Sequence, residues 1–440
     1  MSSFVDIKTL YTGDTDRTID CLKAKYDDVA GLIEVIKVLV KRNLPENLIV
    51  GKKVLLKPNL VIHDNIESDK LCLRTHENFM LAALEVILQE NPIGVILGDA
   101  PVQGCHWDKL LSKSFLDNVD VLRIKYNNPI EIIDFRRTTF DPAQNNPKSA
   151  IKPFSEYVIF DLGKKSHLES ISIENQNLFR VTDYHPDRLA ESHKPGVHKY
   201  CITKELFDCD LVISLPKVKT HQKAGITNAL KNVVGLNGDK DYLPHHRFGG
   251  TKRGGDCYPG DNIFLHWAEL ALDAANRNQG KFIYRFLRRF AFRLWRLSFP
   301  SKDQNLQASW YGNDTVWRMI MDINLIAEFG CKDGTLSKEP QRILFSLSDG
   351  IIGGQGDGPL KPEPLPLGIV SFSDEPCFAD MAVSYLMGFD YKKIPLLKAA
   401  SENKKENQVK IILNEKEVEL TDLYKYSIRT KAPLGWVNYL

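Results

Sequence analysis

The stretch LVISLPKVKTHQKAGITNALKNVVGLNGDKDYLPHHRFGGTKRGGDCYPGD, residues 211–261, decides the predicted fold of this chain. Leu211–Leu215 is a short aliphatic and β-branched run, which is typical of a buried strand, and Pro216 ends it. A lysine-rich polar loop follows, and Gly225 and Thr227 then open a predicted helix that ends near Gly235. A strand, a polar loop and a helix in this order place the loop in the crevice beyond the strand's carboxyl end, as in open α/β sheets.

The loop and the predicted helix carry the side chains of a predicted anion site. No acidic residue occurs from position 211 to position 238. The N-terminus of a helix offers unpaired N–H groups and a partial positive charge, and lysines add full charges. We therefore expect a phosphate- or carboxylate-bearing ligand to contact Lys217, Lys219, Lys223, Thr227, Lys231 and Asn232. The alternative is that the alternating lysines of this loop only face solvent.

Polar residues also follow two earlier predicted strands. Residues 54–56 form the first strand, and Lys57 and Asn59 come at its carboxyl end, where a proline forces the chain to turn. Residues 94–97 form the second strand, and Asp99 follows it. Lys57 and Asn59 are expected to contact the substrate, with a turn as the alternative role of Asn59. Asp99 could bind a divalent metal, orient a hydroxyl group or cap a helix.

A glycine-rich loop is predicted after a further strand at 342–347. It contains Asp349, a second candidate ligand for a divalent metal, and Gly354 and Gly356, where the backbone can approach a substrate closely. A plain surface turn is the alternative. With another strand expected at 119–124, the alternation of strands and helices predicts an α/β fold. Its sheets are expected to be mostly parallel, with flanking helices and a ligand crevice at the strand carboxyl ends.

Three histidines complete the predicted site. His221 lies between two lysines of the polar loop, and an ordinary imidazole titrates near pH 6.5. His221 and Lys219 are therefore the candidate catalytic residues for general acid–base chemistry. His245 and His246 lie in a long, basic, glycine-rich loop, which is predicted to be a mobile flap that closes over the substrate.

The segment KFIYRFLRRFAFRLWRLSF, residues 281–299, is predicted to be a basic amphipathic helix. Ile283, Phe286, Phe290 and Leu294 share one helical stripe, and no acidic residue occurs from 281 to 301. Such a helix can lie in the headgroup plane of an anionic membrane as a peripheral contact. The alternative is that the stripe docks on this protein or on a second subunit of a homo-oligomer.

The composition excludes several classes of protein. The chain has 440 residues, is 43% hydrophobic and 26% charged, and carries a net charge of +2, so charge gives no argument for nucleic acid as a partner. The first residues do not have the pattern of a signal peptide, and no apolar run reaches the roughly 18 residues that span a bilayer. The eight cysteines form no C-x-x-C pair, which argues against a ferredoxin-type iron–sulfur cluster motif and a zinc ribbon, and for reduced thiols in the cytoplasm.

The polar motifs occur in an order that resembles a known family. In chain order they are KPN at 57–59, GDAP at 98–101, KTH at 219–221, KN at 231–232, DGI at 349–351, GDGP at 356–359 and LMG at 386–388. This resembles the bacterial and archaeal domain-of-unknown-function family numbered three hundred and sixty-two. Many members carry an added ferredoxin module, whose cysteine motif this sequence lacks. The family is also distantly similar to the nickel-pincer lactate racemases.

The expected domain organisation has four parts. Residues 1–50 are an N-terminal helical extension, and 51–260 form an α/β domain with the anion site. Residues 261–330 are a helical insertion, with its helices around 262–325, and 331–440 are a second α/β portion with a C-terminal tail.

These residues predict a cytoplasmic enzyme that acts on an anionic metabolite by acid–base or group-transfer chemistry, and the basic helix favours a position at the inner face of the membrane. A membrane-facing helix favours a lipid-linked or cell-envelope precursor as the substrate. The alternative is a non-catalytic ligand-binding or assembly protein of a surface polysaccharide pathway.

Overall fold

The computed structural model describes residues 3–63, 69–140, 148–174, 176–298, 307–405 and 408–440. The strands are β1 Ser3–Thr9, β2 Lys53–Pro58, β3 Gly94–Asp99, β4 Ile130–Asp134, β5 Thr138–Phe140, β6 Lys148–Ala150, β7 Tyr157–Asp161, β8 Phe179–Arg180, β9 His193–Lys194, β10 Val197–Thr203, β11 Leu211–Leu215, β12 Lys217–His221, β13 Gly225–Thr227, β14 His246–Arg247, β15 Ile343–Asp357, β16 Lys361–Leu365, β17 Ile369–Ser373, β18 Val409–Leu413 and β19 Lys416–Val418. The helices are α1 Ile19–Asp27, α2 Val29–Asn43, α3 Asp69–Cys72, α4 Glu77–Gln89, α5 Lys113–Tyr126, α6 Pro186–Ser192, α7 Ala229–Asn232, α8 Ile263–Arg277, α9 Phe282–Ser298, α10 Val316–Phe329, α11 Pro376–Leu386 and α12 Pro395–Ser401.

A 12-stranded sheet forms the centre of the molecule, with the main order β19-β18-β1-β17-β15-β11-β2-β3-β4. The strands from β15 through β11, β2 and β3 to β4 run parallel to their neighbours. Their carboxyl ends therefore meet at one edge of the sheet. The predicted α/β class with a mostly parallel sheet is confirmed.

Apolar layers cover both faces of this sheet. In β11, Val212 belongs to one buried cluster, and Leu211, Ile213 and Leu215 belong to the other. This alternation follows from the period of two of a strand, and a strand buried on both faces reads as a continuous apolar run. Helices α10 and α11 pack in the first cluster, and α2 and α4 pack in the second.

The prediction of a strand at 119–124 is wrong, because this segment lies inside α5. Phe115, Val119 and Leu122 are buried at helical spacing, whereas Ile124 is exposed. The run contains enough aliphatic residues to resemble a strand. However, only the residues on one face of the helix are buried, and tertiary packing has overridden the strand propensity.

The two predicted crevice loops are also strands. The lysine-rich segment after Pro216 is β12, which pairs in parallel with β15 and antiparallel with β13. The glycine-rich segment is the second half of β15, which continues to Asp357 and pairs with β16. In place of one helix from 225 to 235, the chain forms β13 and the short helix α7.

The N-terminal and insertion segments differ from the expected domains. Residues 1–50 contribute β1, which lies between β17 and β18 within the large sheet, so this segment is more than a helical extension. In the expected insertion, α8 and α9 pack on each other, whereas α10 belongs to the main core. Phe299, the last residue of the predicted basic helix, lies outside the described residues. No helix in the described ranges is long and apolar enough to span a bilayer.

A buried ion pair joins α1, β12 and β15. Lys217 Nζ donates to Asp349 Oδ2 at 3.0 Å and to Tyr26 Oη at 2.8 Å. The Tyr26 hydroxyl donates to Asp349 Oδ1 at 2.5 Å. All three side chains are fully buried, so each charge depends on the other for compensation.

We expect Lys217→Met to destabilise the protein by about 3–5 kcal/mol, because it leaves the carboxylate of Asp349 buried without a counter-charge. Urea denaturation followed by circular dichroism measures this loss. The double variant Lys217→Met/Asp349→Asn removes both charges and keeps an acceptor for Tyr26. It should recover at least half of the loss, and a double variant as unstable as the sum of both single variants would contradict a coupled pair.

Candidate functional site

The β12–β13 hairpin carries five of the predicted site residues, which are Lys217, Lys219, His221, Lys223 and Thr227. Lys219 pairs with Thr227, and His221 pairs with Gly225 across the hairpin. Because side chains alternate along a strand, Lys217, Lys219 and His221 share one face of β12. The predicted site residues of this stretch are therefore brought together by a strand and not by a loop.

Two of the predicted lysines are neutralised by the predicted metal ligands. Lys57 Nζ donates to Asp99 Oδ1 at 2.7 Å, in the same way that Lys217 pairs with Asp349. Asp99 also accepts hydrogen bonds from the backbone N–H groups of Leu60 and Ala100. Both carboxylates are thus already engaged by lysine and by other donors. This geometry argues against a metal site at Asp99 and Asp349.

Gly235 leaves the space that the pair of Lys57 and Asp99 occupies. A Cβ atom at this position would lie 1.8 Å from Asp99 Oδ1 and 2.7 Å from Lys57 Nζ. Any side chain would therefore displace the ion pair.

Four further lysines surround this region without a carboxylate partner, and we call Lys219, Lys223, Lys231 and Lys240 the lysine cluster. Lys219 is fully buried, and the other three are half-buried. Lys219 Nζ donates to the backbone oxygen of Leu73, and Lys240 Nζ donates to that of Ala100 at 3.4 Å. Within the described ranges, none of the four forms an ion pair.

Burial lowers the pKa of every lysine in the cluster, since burial disfavours the charged form. The pKa of Lys219 falls to about 7, and that of Lys223, Lys231 and Lys240 falls to about 8. Neighbouring positive charges add to this effect, and Lys231 is the main one for Lys219. This effect of positive charges acts on Lys219, Lys231 and Lys240, whereas Cys257 and Asp256 raise the pKa of Lys223. Repulsion among cationic groups favours the binding of an anion between them.

His221 has a hydrogen-bonding pattern that argues against its predicted role as general base. Its Nδ1 accepts hydrogen bonds from the backbone N–H groups of Lys223 at 3.0 Å and Ala224 at 3.1 Å. Burial and the nearby lysines hold the pKa of His221 well below its ordinary value. A neutral imidazole with Nδ1 as acceptor carries its proton on Nε2, so His221 can donate a hydrogen bond but cannot readily accept a proton.

His245 also faces the lysine cluster, but its proton lies on Nδ1, whereas that of His221 lies on Nε2. Its Nδ1 lies 2.7 Å from the backbone oxygen of Leu243, which requires the proton on Nδ1. Burial, together with Lys223 and other neighbouring lysines, lowers the pKa of His245 to about 3. The imidazole is therefore neutral at pH 7 and offers its Nε2 lone pair.

Several neutral polar residues of the predicted site have hydrogen-bonding atoms without a partner among the described residues. The Asn232 amide nitrogen donates to Lys57 O and to Ser214 Oγ, both at 2.8 Å. In the described part of the chain, Asn59 Oδ1, Asn232 Oδ1 and Thr227 Oγ1 are buried without a hydrogen-bond partner. Such atoms are expected to bind water or ligand.

The helix N-terminus that was expected to bind the anion is already occupied. Asp380 on α11 accepts hydrogen bonds from the backbone N–H groups of Ala229 at 2.7 Å and Leu230 at 3.3 Å. Burial raises the pKa of Asp380 to about 8. The lysines, and not the start of α7, are therefore the groups available to an anion.

Gly354 and Gly356 serve the packing of β15, and this geometry argues against substrate contact. A Cβ on Gly354 would lie 2.7 Å from the Cβ of Lys219. Gly356 has a positive φ of 74°, its N–H donates to Lys431 O, and its oxygen accepts from Thr220. Small residues here let neighbouring strands approach.

The glycine-rich loop predicted as a mobile flap is tied down by Asp256. This buried carboxylate accepts from the Thr315 hydroxyl at 2.6 Å and from the backbone N–H of Asp314 at 3.0 Å. His246 at the start of the loop is buried and lies beside Cys257, and burial lowers its pKa, with Lys223 as the contributing member of the lysine cluster. The pKa of His245 is lowered by burial and by Lys223, Lys231 and Lys240, so His245 is the histidine that faces the cluster more fully.

Sequence reasoning missed Lys240, because two aspartates flank it and suggest a solvated charge cluster. In the structure, Asp239 pairs with Arg137 and Asp241 pairs with Arg188. Lys240 therefore pairs with neither of the aspartates beside it. In the sequence, the alternation of acidic and basic residues at 239–241 was the feature that could have drawn attention to Lys240.

A cavity of about 360 Å³ lies near the C-terminal end of α8. Its lining includes Arg137, Asp183, His185 and Arg277, and none of its lining residues belongs to the lysine cluster.

The comparison with family models gives one match. The model described as Domain of unknown function (DUF362) matches residues 159–385, which is just over half of the chain. This confirms the resemblance that the motifs predicted. The match covers the lysine cluster and Asp380 but not Lys57 or Asp99. No curated protein matches the sequence. The similarity to nickel-pincer lactate racemases stays a prediction.

The lowered lysine pKa values can be measured by NMR on protein with ¹³C-labelled lysine side chains. Lys219 is expected to titrate near pH 7, against about 10.4 for an ordinary lysine. Lys231→Met should raise this midpoint, because it removes the nearest like charge, whereas the exposed control Lys164→Met should not. A Lys219 midpoint close to 10 would contradict the described arrangement.

Proposed function

We propose that this chain, which belongs to the domain-of-unknown-function family DUF362, is an enzyme that binds a phosphate- or carboxylate-bearing metabolite at the lysine cluster. The observation that supports this proposal is the set of four lysines that share a half-buried site without a carboxylate partner in the described residues. Lysines without a function are normally either exposed to solvent or paired with an acidic residue, and Lys57 and Lys217 are paired with aspartates.

Electrostatics favours a ligand with at least two negative charges. An unpaired ammonium loses solvation on burial, and the loss appears as a pKa about 2.5 to 3.5 below the ordinary value for these lysines. An anion among them supplies the missing counter-charge and restores protonation. Charge-assisted hydrogen bonds to phosphate or carboxylate oxygens are about twice as strong as neutral ones.

Lys219 is the residue that we assign to proton transfer. Its pKa of about 7 matches the working pH of most enzymes, which is the condition for an efficient general acid or base. Lys223, Lys231 and Lys240 would bind the anionic group, and the Nε2–H of His221 would donate to it. Acid–base or group-transfer chemistry uses such an arrangement, because the charges are fixed before the reaction begins.

Sulfate is a suitable probe of the anion site, because its charge does not change between pH 6.5 and pH 9. Isothermal titration calorimetry should show affinity falling as pH rises through about 7 to 8, since the lysines that bind sulfate lose their protons. Binding near pH 8 should be accompanied by proton uptake. Lys231→Ala should weaken binding by about 1–3 kcal/mol.

The exposed lysine Lys164 gives the matched control, and Lys164→Ala should leave sulfate affinity unchanged. Equal affinity in Lys231→Ala and wild type would overturn the anion site. Native mass spectrometry of the purified protein then identifies a co-purified anion. Turnover of that compound, lost in Lys219→Met with binding retained, separates an enzyme from a non-catalytic binding or assembly protein.

The hairpin of α8 and α9 supports a second proposal, a peripheral contact with an anionic membrane. On α9, Phe282 is 97% exposed and Phe286 is 66% exposed, and Phe290 is also exposed. Trp267 on α8 is exposed as well. Leu294, which was expected on the same stripe, packs instead against the core of the hairpin.

Arginines border this apolar surface. Arg285, Arg289, Arg293 and Arg296 are exposed, α9 contains no acidic residue, and none of the four forms an ion pair with a described residue. Arg288 pairs with Asp183 at 3.2 Å. Adjacent aromatic and cationic rows match the interface of a bilayer that contains anionic lipid, where each basic residue contributes about 1 kcal/mol. A lipid-linked anion would combine both proposals.

Co-sedimentation with vesicles measures this contact. Binding is expected to phosphatidylserine-containing vesicles and not to neutral ones, and it should weaken as salt rises. Phe286→Ser/Phe290→Ser should abolish it, whereas Ile124→Ser, at an exposed position on α5, should not. If the double variant instead converts a dimer to a monomer without any lipid binding in the wild type, the surface is a subunit interface and the membrane proposal fails.

A further inference from the structure

Three buried side chains from separate segments meet beside Lys223. His246 comes from β14, Cys257 from the loop that follows, and Glu269 from α8. One possible ligand atom of each lies within 4.8 Å of the other two. Their exposures are 1%, 3% and 2%, so water does not solvate them freely.

The rest of the protein leaves these donors incompletely satisfied. Glu269 Oε2 accepts a hydrogen bond from the backbone N–H of Gly249 at 2.9 Å. Glu269 Oε1 and His246 Nδ1 are buried and have no hydrogen-bond partner among the described residues. A buried carboxylate oxygen and an imidazole nitrogen without partners cost free energy unless something else fills the space between them.

The three donors together match the charge of a divalent cation. A neutral imidazole, a thiolate and a carboxylate are the forms that bind a divalent cation, and their two negative charges would balance it.

We propose that His246, Cys257 and Glu269 bind a zinc ion. Zinc accepts nitrogen, sulfur and oxygen ligands together in one tetrahedral site, whereas calcium and magnesium take oxygen ligands. Ligand bonds of about 2.0–2.3 Å require the three donors to lie somewhat closer than their present limit of 4.8 Å, which small side-chain rotations supply. Three protein ligands leave the fourth position for water or another group.

The zinc ion would fasten the segment from His246 to Cys257 onto α8. Asp256 already ties this segment to the start of α10. The residue before the first ligand is His245, which faces the lysine cluster, so the ion would hold the wall of the anion site. The inference does not depend on the proposed anion ligand, because the donors belong to a separate cluster.

Cobalt gives a direct readout that does not need enzyme activity. Protein purified without a metal-affinity step, stripped with chelator and titrated with Co²⁺ should show a thiolate-to-cobalt charge-transfer band at one equivalent. Cys257→Ser should lose this band, whereas Cys209→Ser, at another buried cysteine near Lys53, should keep it. His246→Gln should weaken zinc affinity at least about 100-fold, since partners that only support a ligand already contribute 10–100-fold.

Glu269→Gln separates a metal ligand from a structural residue. In metal-free protein this variant should melt no lower than the wild type, because it removes a buried carboxyl group. Added Zn²⁺ should raise the melting temperature of the wild type but not that of Glu269→Gln. The proposal is overturned if wild type shows no thiolate band and no zinc-dependent melting shift, or if Cys257→Ser retains both.

Discussion

Positive charge buried at the carboxyl ends of parallel strands is the constraint on which this structure depends. Lys57 lies near the carboxyl end of β2, Lys217 lies just beyond the carboxyl end of the neighbouring strand β11, and each pairs with an acid within the protein. Tyr26 on α1 hydrogen-bonds to both Asp349 and Lys217, which fixes the N-terminal segment to the sheet. The backbone of Gly235 has to pass close to the other pair, and only glycine leaves room.

The four lysines of the lysine cluster form no ion pair with a described residue. Their pKa values fall towards neutrality, so part of the positive charge is lost before any ligand arrives. Cys257 and Asp256 act in the opposite direction on Lys223 and favour its protonated form. A cation bound by His246, Cys257 and Glu269 would neutralise the negative charge of these ligands. Lys223 would then be available to pair with an anionic ligand in the lysine cluster.

The sequence predicted the sheet well because its strands are continuous apolar runs bounded by glycine or proline, as in 94–97 and Leu211–Leu215. It failed where burial, and not composition, decides the structure. The alternating lysines of β12 look solvated, yet Lys217 and Lys219 are fully buried. Ion pairs such as Lys57 with Asp99 join residues 42 positions apart, and no periodicity encodes them. His246, Cys257 and Glu269 likewise match no known spacing of metal ligands.

Helix α8 links the interior sites to the surface. Glu269 and Asp273 lie on its buried face, and Asp273 pairs with Arg180 at 2.9 Å. Trp267 and Leu270 lie on its exposed face, and α8 packs on α9. The buried pair of Asp273 and Arg180 fixes α8 to β8, since separating it would leave two charges uncompensated. The surface proposed to meet lipid and the cluster proposed to hold zinc are thus two faces of one element, held in place by one ion pair.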